Sequence, residues 1–141
     1  MDKTKLNKHF ILASSSKRRL ELLSQIGVKP DLILSPNIDE KIFSKELPRI
    51  YVERMSLEKN RVFQQKYPQS IILTADTVVS VGRRILPKTM DVNLAEECLK
   101  LISGRRHKVF TSFTVYTPNN SLKTKTIHSI IKKNQPTRRL N

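Results

Sequence analysis

The feature that most constrains the fold of this chain is an alternation of short apolar runs with segments of helical periodicity. Runs of β-forming residues predict strands, and apolar residues that recur every three or four positions predict helices. The predicted strands of the first part of the chain are residues 10–13, 31–35, 70–75, 77–81 and 84–86. Helices are predicted at residues 17–26 and from Pro48 to about residue 67. This alternation predicts an α/β architecture.

The last part of the chain predicts a further helix and then a β-hairpin. Asp91 is a candidate cap for a helix that ends at Gly104. Residues 107–117 and 122–131 both alternate as strands, and a turn at Pro118 joins them. Because this hairpin must be antiparallel, we expect a mixed, twisted sheet with flanking helices. One domain is predicted at residues 9–131, followed by a basic unstructured tail at residues 132–141.

The charge of the chain is strongly positive but unevenly placed. A net charge of +15 favours a nucleic-acid binder at first sight. Ten Lys or Arg residues and no acidic residue follow Glu97, however, so the front is only moderately basic. With no Trp and no interleaving of aromatic and basic residues, the sequence argues against a nucleic-acid partner. No apolar run is long enough for a membrane span or a signal peptide, so a cytoplasmic protein without a membrane partner is expected.

Three serines and two arginines follow the first predicted strand, where a helix begins. The hydroxyls of Ser14, Ser15 and Ser16, together with the unpaired amides at the start of the helix, are predicted to lie next to Arg18 and Arg19. Amides and guanidinium groups in this arrangement attract anions such as phosphate. A serine-rich helix cap with a solvated basic first turn explains the same residues equally well. The sequence therefore leaves both interpretations open.

Two charged residues stand among apolar neighbours. Lys59 lies on the apolar face of its predicted helix, where it needs a partner unless its stem lets the ammonium reach solvent. Asp76 interrupts the most apolar segment, and a metal, a lysine or a proton must offset its charge. A structural salt bridge is the alternative to a functional site. Together with Glu40 and the arginine pair, these residues supply ligands for Mg²⁺ and cations for phosphate oxygens.

Histidine and serine chemistry receive no such support. His9, His107 and His128 lack metal-ligand spacing, and no Gly-x-Ser-x-Gly sequence is present. Zinc and acyl-transfer sites are therefore not expected.

Six segments of the chain, in order, resemble the conserved segments of the Maf family. The first is the Ala-Ser-Ser-Ser-Lys-Arg-Arg sequence of residues 13–19, which is similar to the Ala-Ser-x-Ser-Pro-Arg-Arg signature of that family. The second is Ile-Asp-Glu at residues 38–40, and the fourth is Ala-Asp-Thr-Val-Val at residues 75–79. The other three lie at residues 51–59, 85–88 and 101–109.

The resemblance implies a pyrophosphatase that converts nucleoside triphosphates into the monophosphate and pyrophosphate, with a divalent cation, Mg²⁺ or Mn²⁺, as cofactor. It implies dTTP and UTP as substrates, modified nucleotides among the others, and it allows a homodimer. Glu40 and Asp76 would bind the metal and serve the attacking water, and with Lys59 they would form the catalytic set. The residues implied in substrate binding are Ser14, Ser16, Arg18, Arg19, Lys59 and Lys88.

The sequence also departs from the family pattern. Lys17 replaces the signature proline, and Pro87 and Thr89 replace the usual glycine and proline around Lys88. The closing segment of the family, with its glycine, tyrosine and glutamine, has no counterpart here. We therefore expect a fold that is incomplete at its C-terminus, poorly stable and largely inactive. An inactive remnant and a basic nucleic-acid-binding protein are the alternatives to an active enzyme.

Overall fold

The computed structural model describes residues 9–86, 93, 96–98, 100, 104, 106–119 and 121–132. Of the predicted helix after Asp91, residues 93, 96–98 and 100 are described and are helical, and residue 104 lies in a turn. The remaining residues of that helix and the predicted tail beyond Lys132 lie outside the described residues. The elements in chain order are β1 (Phe10–Ala13), α1 (Lys17–Gln25), β2 (Leu32–Leu34), α2 (Pro48–Gln64), β3 (Ile71–Val81), β4 (Arg84–Ile85), β5 (Arg106–Thr117) and β6 (Ser121–Lys132).

The strands form one six-stranded mixed sheet in the order β2-β1-β3-β5-β6, and β4 pairs with the end of β3. β1 is parallel to β2 and β3, whereas β3, β5 and β6 are antiparallel neighbours. The predicted mixed α/β fold is thus confirmed. The two strands predicted on either side of Asp76 are one continuous strand, β3.

Helix α2 covers one face of this sheet. Val52 and Met55 are fully buried and pack against Val78 of β3 and Phe110 of β5. Val62, an apolar residue of the same helix, is 42% exposed. The buried face of the helix is centred on residues 52, 59 and 63, so Val62 projects from its margin.

A layer of polar side chains lies between α2 and the sheet. The amide nitrogen Nδ2 of Asn60 lies 3.0 Å from the carbonyl oxygen of Ile72 and 3.1 Å from that of Thr114. The hydroxyl of Thr74 donates to the carbonyl oxygen of Ser56 at 2.7 Å. Because these groups are fully buried, losing one partner leaves another unsatisfied. The layer therefore fixes the rotation of α2 about its axis, and with it the position of the neighbouring Lys59.

The other face of the sheet is only partly covered. Helix α1 has no buried residue, and an apolar groove of about 340 Å³ runs between Leu22, Ile26, Leu73 and Phe113. Ile26 is exposed because the helix ends there and Gly27 turns the chain with a φ of +79°. In the described part of the chain, no helix has the length and apolar character needed to cross a membrane.

Candidate active site

The cleft opens where β1 ends beside the longer strand β3. β1 stops at Ala13, and Ser14–Ser16 turn away towards α1, which leaves Ala75 and Asp76 of β3 without a strand neighbour on that side. The resulting cavity has a volume of about 250 Å³. The sequence predicted separate strands before and after Asp76, but Asp76 lies within the continuous strand β3. It lies beyond the end of the adjacent parallel strand, which is the usual place for a ligand cleft in an α/β sheet.

Lys59 joins two carboxylates at the floor of this cleft. Its ammonium nitrogen Nζ lies 2.8 Å from Oδ1 of Asp76 and 3.7 Å from Oε2 of Glu40. The side chain of Asp76 is 1% exposed, whereas that of Glu40 is 43% exposed. Lys59 therefore points into the protein rather than to solvent. Its charge offsets the buried carboxylate, as the lone position of Asp76 required.

The serine segment acts both as a helix cap and as a wall of the cleft. Ser16 is the N-cap of α1, and its hydroxyl accepts a hydrogen bond from the amide of Arg19. The buried hydroxyl of Ser14 accepts from the amide of Ser16 at 3.1 Å. Ser14, Ser15 and Ser16 all line the cavity. The two interpretations that the sequence left open are thus compatible in one structure.

Arg19 is the arginine that faces the cleft. Its Nη1 donates to the hydroxyl of Ser14 at 3.1 Å and its Nη2 to the hydroxyl of Thr77 at 3.2 Å. Burial lowers the pKa of Arg19, and the negative charge of Asp76 partly opposes this effect. Arg18 is exposed and does not line the cavity, since one residue along a helix means a rotation of about 100°. Lys88 lies outside the described residues.

Glu40 reaches the cleft from the irregular segment between β2 and α2. The hydroxyl of Tyr51 donates to the backbone carbonyl oxygen of Glu40 at 2.6 Å. Arg54 donates from Nη2 to the carbonyl oxygen of Lys41 at 2.8 Å. The sequence alone predicts no role for these two residues, although their spacing of three places them on one side of α2.

Two carboxylates are a fitting donor set for a hard divalent cation. Among the described residues, no group of three or more His, Cys, Asp or Glu is arranged to hold a metal. Mg²⁺ commonly binds one or two carboxylates and completes its shell with water and phosphate oxygens. Glu40 and Asp76, which both lie near Nζ of Lys59, supply two carboxylates of this kind.

The six sequence segments described above resemble one family, and a comparison with known families confirms this resemblance. Residues 9–139 match the sequence profile of the Maf-like protein family. The chain belongs to this family.

Two relatives of this Maf-like chain are named as pyrophosphatases. The nucleoside triphosphate pyrophosphatase of Ehrlichia chaffeensis is 50% identical over 124 residues, which cover 88% of this chain and 65% of that protein. The dTTP/UTP pyrophosphatase of a Wolbachia strain from Drosophila simulans is 48% identical over 125 residues, which cover 88% of this chain and 63% of that protein. The chain thus spans about 65% of the length of such relatives.

The fold is shared with more distant proteins of known structure. The Staphylococcus aureus Ham1 protein superimposes with a TM-score of 0.62 at 11% sequence identity, covering 89% of this chain and 71% of that one. At so low an identity the likeness concerns the fold alone.

Proposed function

We propose that this chain carries the catalytic cleft of a nucleoside triphosphate pyrophosphatase that acts on dTTP and UTP. The observation that supports the proposal most directly is the convergence of Lys59, Asp76 and Glu40 on one cavity with the serine segment and Arg19. Cations for phosphate oxygens and oxygen ligands for a metal are what phosphoryl transfer requires. The names of the relatives support the same substrate class.

The triphosphate is held, in this proposal, by the wall formed from the serine segment and Arg19. The hydroxyls of Ser14 and Ser16 and the N-terminus of α1 face the cavity beside the Arg19 guanidinium group. Arg19 is already fixed by Ser14 and Thr77, so little side-chain freedom is lost when it binds a phosphate. Arg18 and Lys88 remain predicted ligands for the outer phosphates.

The reaction is the attack of water on the α-phosphorus. A bond forms between the water oxygen and the α-phosphorus, the bond from that phosphorus to the bridging oxygen breaks, and pyrophosphate leaves. We assign the proton of the water to Glu40, because its side chain is partly exposed and reaches solvent, whereas Asp76 is buried and held by Lys59. Lys59 neutralises charge at the phosphates.

Glu40 and Asp76 would hold the divalent cation. When bound, Mg²⁺ or Mn²⁺ supplies positive charge that stabilises the transferring phosphoryl group. The residues of the chain supply the orientation of the nucleotide and the acceptance of the proton.

The test is product analysis with dTTP, UTP, dATP and dGTP in the presence of Mg²⁺ or Mn²⁺. We expect monophosphate and pyrophosphate in equal amounts from the two pyrimidine substrates, and a loss of turnover in Asp76→Asn. Release of orthophosphate would contradict the proposed bond cleavage. Absence of turnover would favour an inactive remnant, and salt-sensitive binding to duplex DNA without turnover would favour the nucleic-acid alternative. A homodimer and a cytoplasmic location stay predictions.

A further inference from the structure

The Glu40 carboxylate is carried by a segment without helix or strand, residues 35–47. Most of this segment is exposed, and Glu40 itself is exposed to solvent on one side. A carboxylate on such a segment loses conformational freedom when it binds a cation, unless the fold already holds its backbone. The contacts of that backbone therefore decide how well Glu40 is placed for its task.

Tyr51 provides the contact at residue 40 itself. Its ring is 4% exposed and packs in a cluster with Val52, Met55, Val78 and Phe110. The hydroxyl extends from this cluster and donates to the carbonyl oxygen of Glu40 at 2.6 Å. Because the ring is fixed by packing against α2 and the sheet, the hydrogen bond ties Glu40 to the rigid part of the molecule.

Arg54 holds the next residues of the same segment. Its guanidinium group donates to the carbonyl oxygen of Lys41, pairs with Glu46 at 2.7 Å and stacks 3.8 Å above the ring of Phe43. These contacts fix the course of the segment after residue 40. At residue 40 the backbone is held by the bond from Tyr51, and the carboxylate lies 3.7 Å from Nζ of Lys59.

We propose that Tyr51 is a positioning residue that holds the Glu40 carboxylate beside Lys59 and Asp76, so that both carboxylates meet a divalent cation together. The inference rests on the proposed function in so far as that function assigns a cation to Glu40 and Asp76. Tyr51 touches neither the cation nor the nucleotide, and it acts through the backbone of Glu40.

Tyr116 offers a matched control. It is a buried tyrosine, 7% exposed, whose hydroxyl donates to the backbone carbonyl oxygen of Pro68 at 3.1 Å. Its bond lies at the other end of α2, away from the residues that line the cleft. Tyr51→Phe and Tyr116→Phe therefore remove the same chemical group from the same kind of bond, and only one of the two bonds holds Glu40.

The experiment measures Mn²⁺ affinity by calorimetry for the unsubstituted chain and both variants, at a temperature where all three are folded. We expect Tyr51→Phe to weaken Mn²⁺ binding about two- to tenfold, the equivalent of one hydrogen bond, and Tyr116→Phe to leave it unchanged. Amide exchange of residues 38–43 without metal should be faster in Tyr51→Phe only. Where turnover is measured, we expect Tyr51→Phe to raise the Mn²⁺ concentration needed for half-maximal rate.

The two failures are distinguishable. Mn²⁺ binding that is equal in the unsubstituted chain and Tyr51→Phe, or weakened equally in both variants, would overturn the role of Tyr51. Absence of Mn²⁺ binding to the unsubstituted chain would overturn it as well, since there would be no carboxylate site to position. Mn²⁺ binding that responds to Tyr51→Phe without any pyrophosphate release would support the role of Tyr51 and contradict the proposed function.

Discussion

Replacement of Lys59 by methionine should separate the structural task of this residue from its catalytic one. Methionine retains most of the apolar stem and removes the ammonium group that lies 2.8 Å from Asp76. Removing one partner of a buried ion pair typically costs about 3–5 kcal/mol, because the remaining charge stays buried. The longer contact to the half-exposed Glu40 adds little, about 1 kcal/mol or less. The free energy of unfolding of a small domain is only about 5–15 kcal/mol in total. Lys59→Met should therefore lose a large part of it.

The same variant should respond more strongly to a divalent cation. Without the ammonium group, Glu40 and Asp76 lose the positive charge of Lys59, and a divalent cation from solvent would replace it. A ligand that binds the folded state stabilises it by about 2.7 kcal/mol at a hundred times its dissociation constant. Mn²⁺ should therefore recover much of the lost stability in Lys59→Met and add less to the unsubstituted chain. Turnover of dTTP should stay low, since the proposed function also assigns Lys59 to the charge of the phosphates.

The assay is urea unfolding followed by circular dichroism, with and without Mn²⁺. Lys66→Met is the control, because Lys66 is exposed just after α2 and lies away from the cleft. We expect this control to match the unsubstituted chain in both conditions. If Lys59→Met unfolds at the same urea concentration as the unsubstituted chain, or if Mn²⁺ shifts both by the same amount, the reasoning about the buried pair is refuted.

Three further outcomes follow from single contacts. Arg19→Lys keeps the charge but not the forked geometry, so it should raise KM for dTTP roughly ten- to a hundredfold, and Arg18→Lys should change it much less, as steady-state kinetics would show. Asn60→Leu should lower the free energy of unfolding by about 1–3 kcal/mol in urea, because the buried carbonyl oxygens of Ile72 and Thr114 in the sheet lose their donor. An unchanged midpoint would contradict this. Hydrogen bonds from Arg54 lower the pKa of Glu46 below its ordinary value of 4.5. The pair therefore stabilises the fold above that pH and loses its contribution as the pH falls through the folded pKa. In Glu46→Gln, the free energy of unfolding should depend less on pH below about pH 4.5.

The elements of the fold were predictable where the signal is local. The alternation of β5 and β6 and the apolar run of β3 specify strands regardless of their partners, and the observed bounds differ from the predicted ones by one residue at most in β5 and β6. Proline at the first turn of α2 and Gly27 after α1 mark helix ends for equally local reasons. Which strands become neighbours is not local, and the sequence specified only the hairpin.

The candidate site was predictable in its charges but not in its geometry. A lone carboxylate in an apolar strand and a lysine on an apolar helix face each demand a partner, and the structure pairs them. The choice of Arg19 over Arg18 depends on the rotation of α1 against the sheet, which a stretch of three basic residues does not reveal. The hydrogen bond from Tyr51 to the carbonyl oxygen of Glu40 depends on the course of an irregular segment, for which periodicity carries no information.

The charges of the cleft explain why a divalent cation and a nucleotide are expected to bind together. Among the described residues that line the cavity, two are cations, Arg19 and Lys59, and two are carboxylates, Glu40 and Asp76. Their formal charges cancel, so these four side chains together bring no net charge to the cleft, and the carboxylates repel a triphosphate. In the proposed function, a divalent cation held by Glu40 and Asp76 would reverse that balance, and Lys59 would be available to the phosphates. Since the phosphates in turn complete the shell of the cation, each ligand raises the affinity for the other by the same factor.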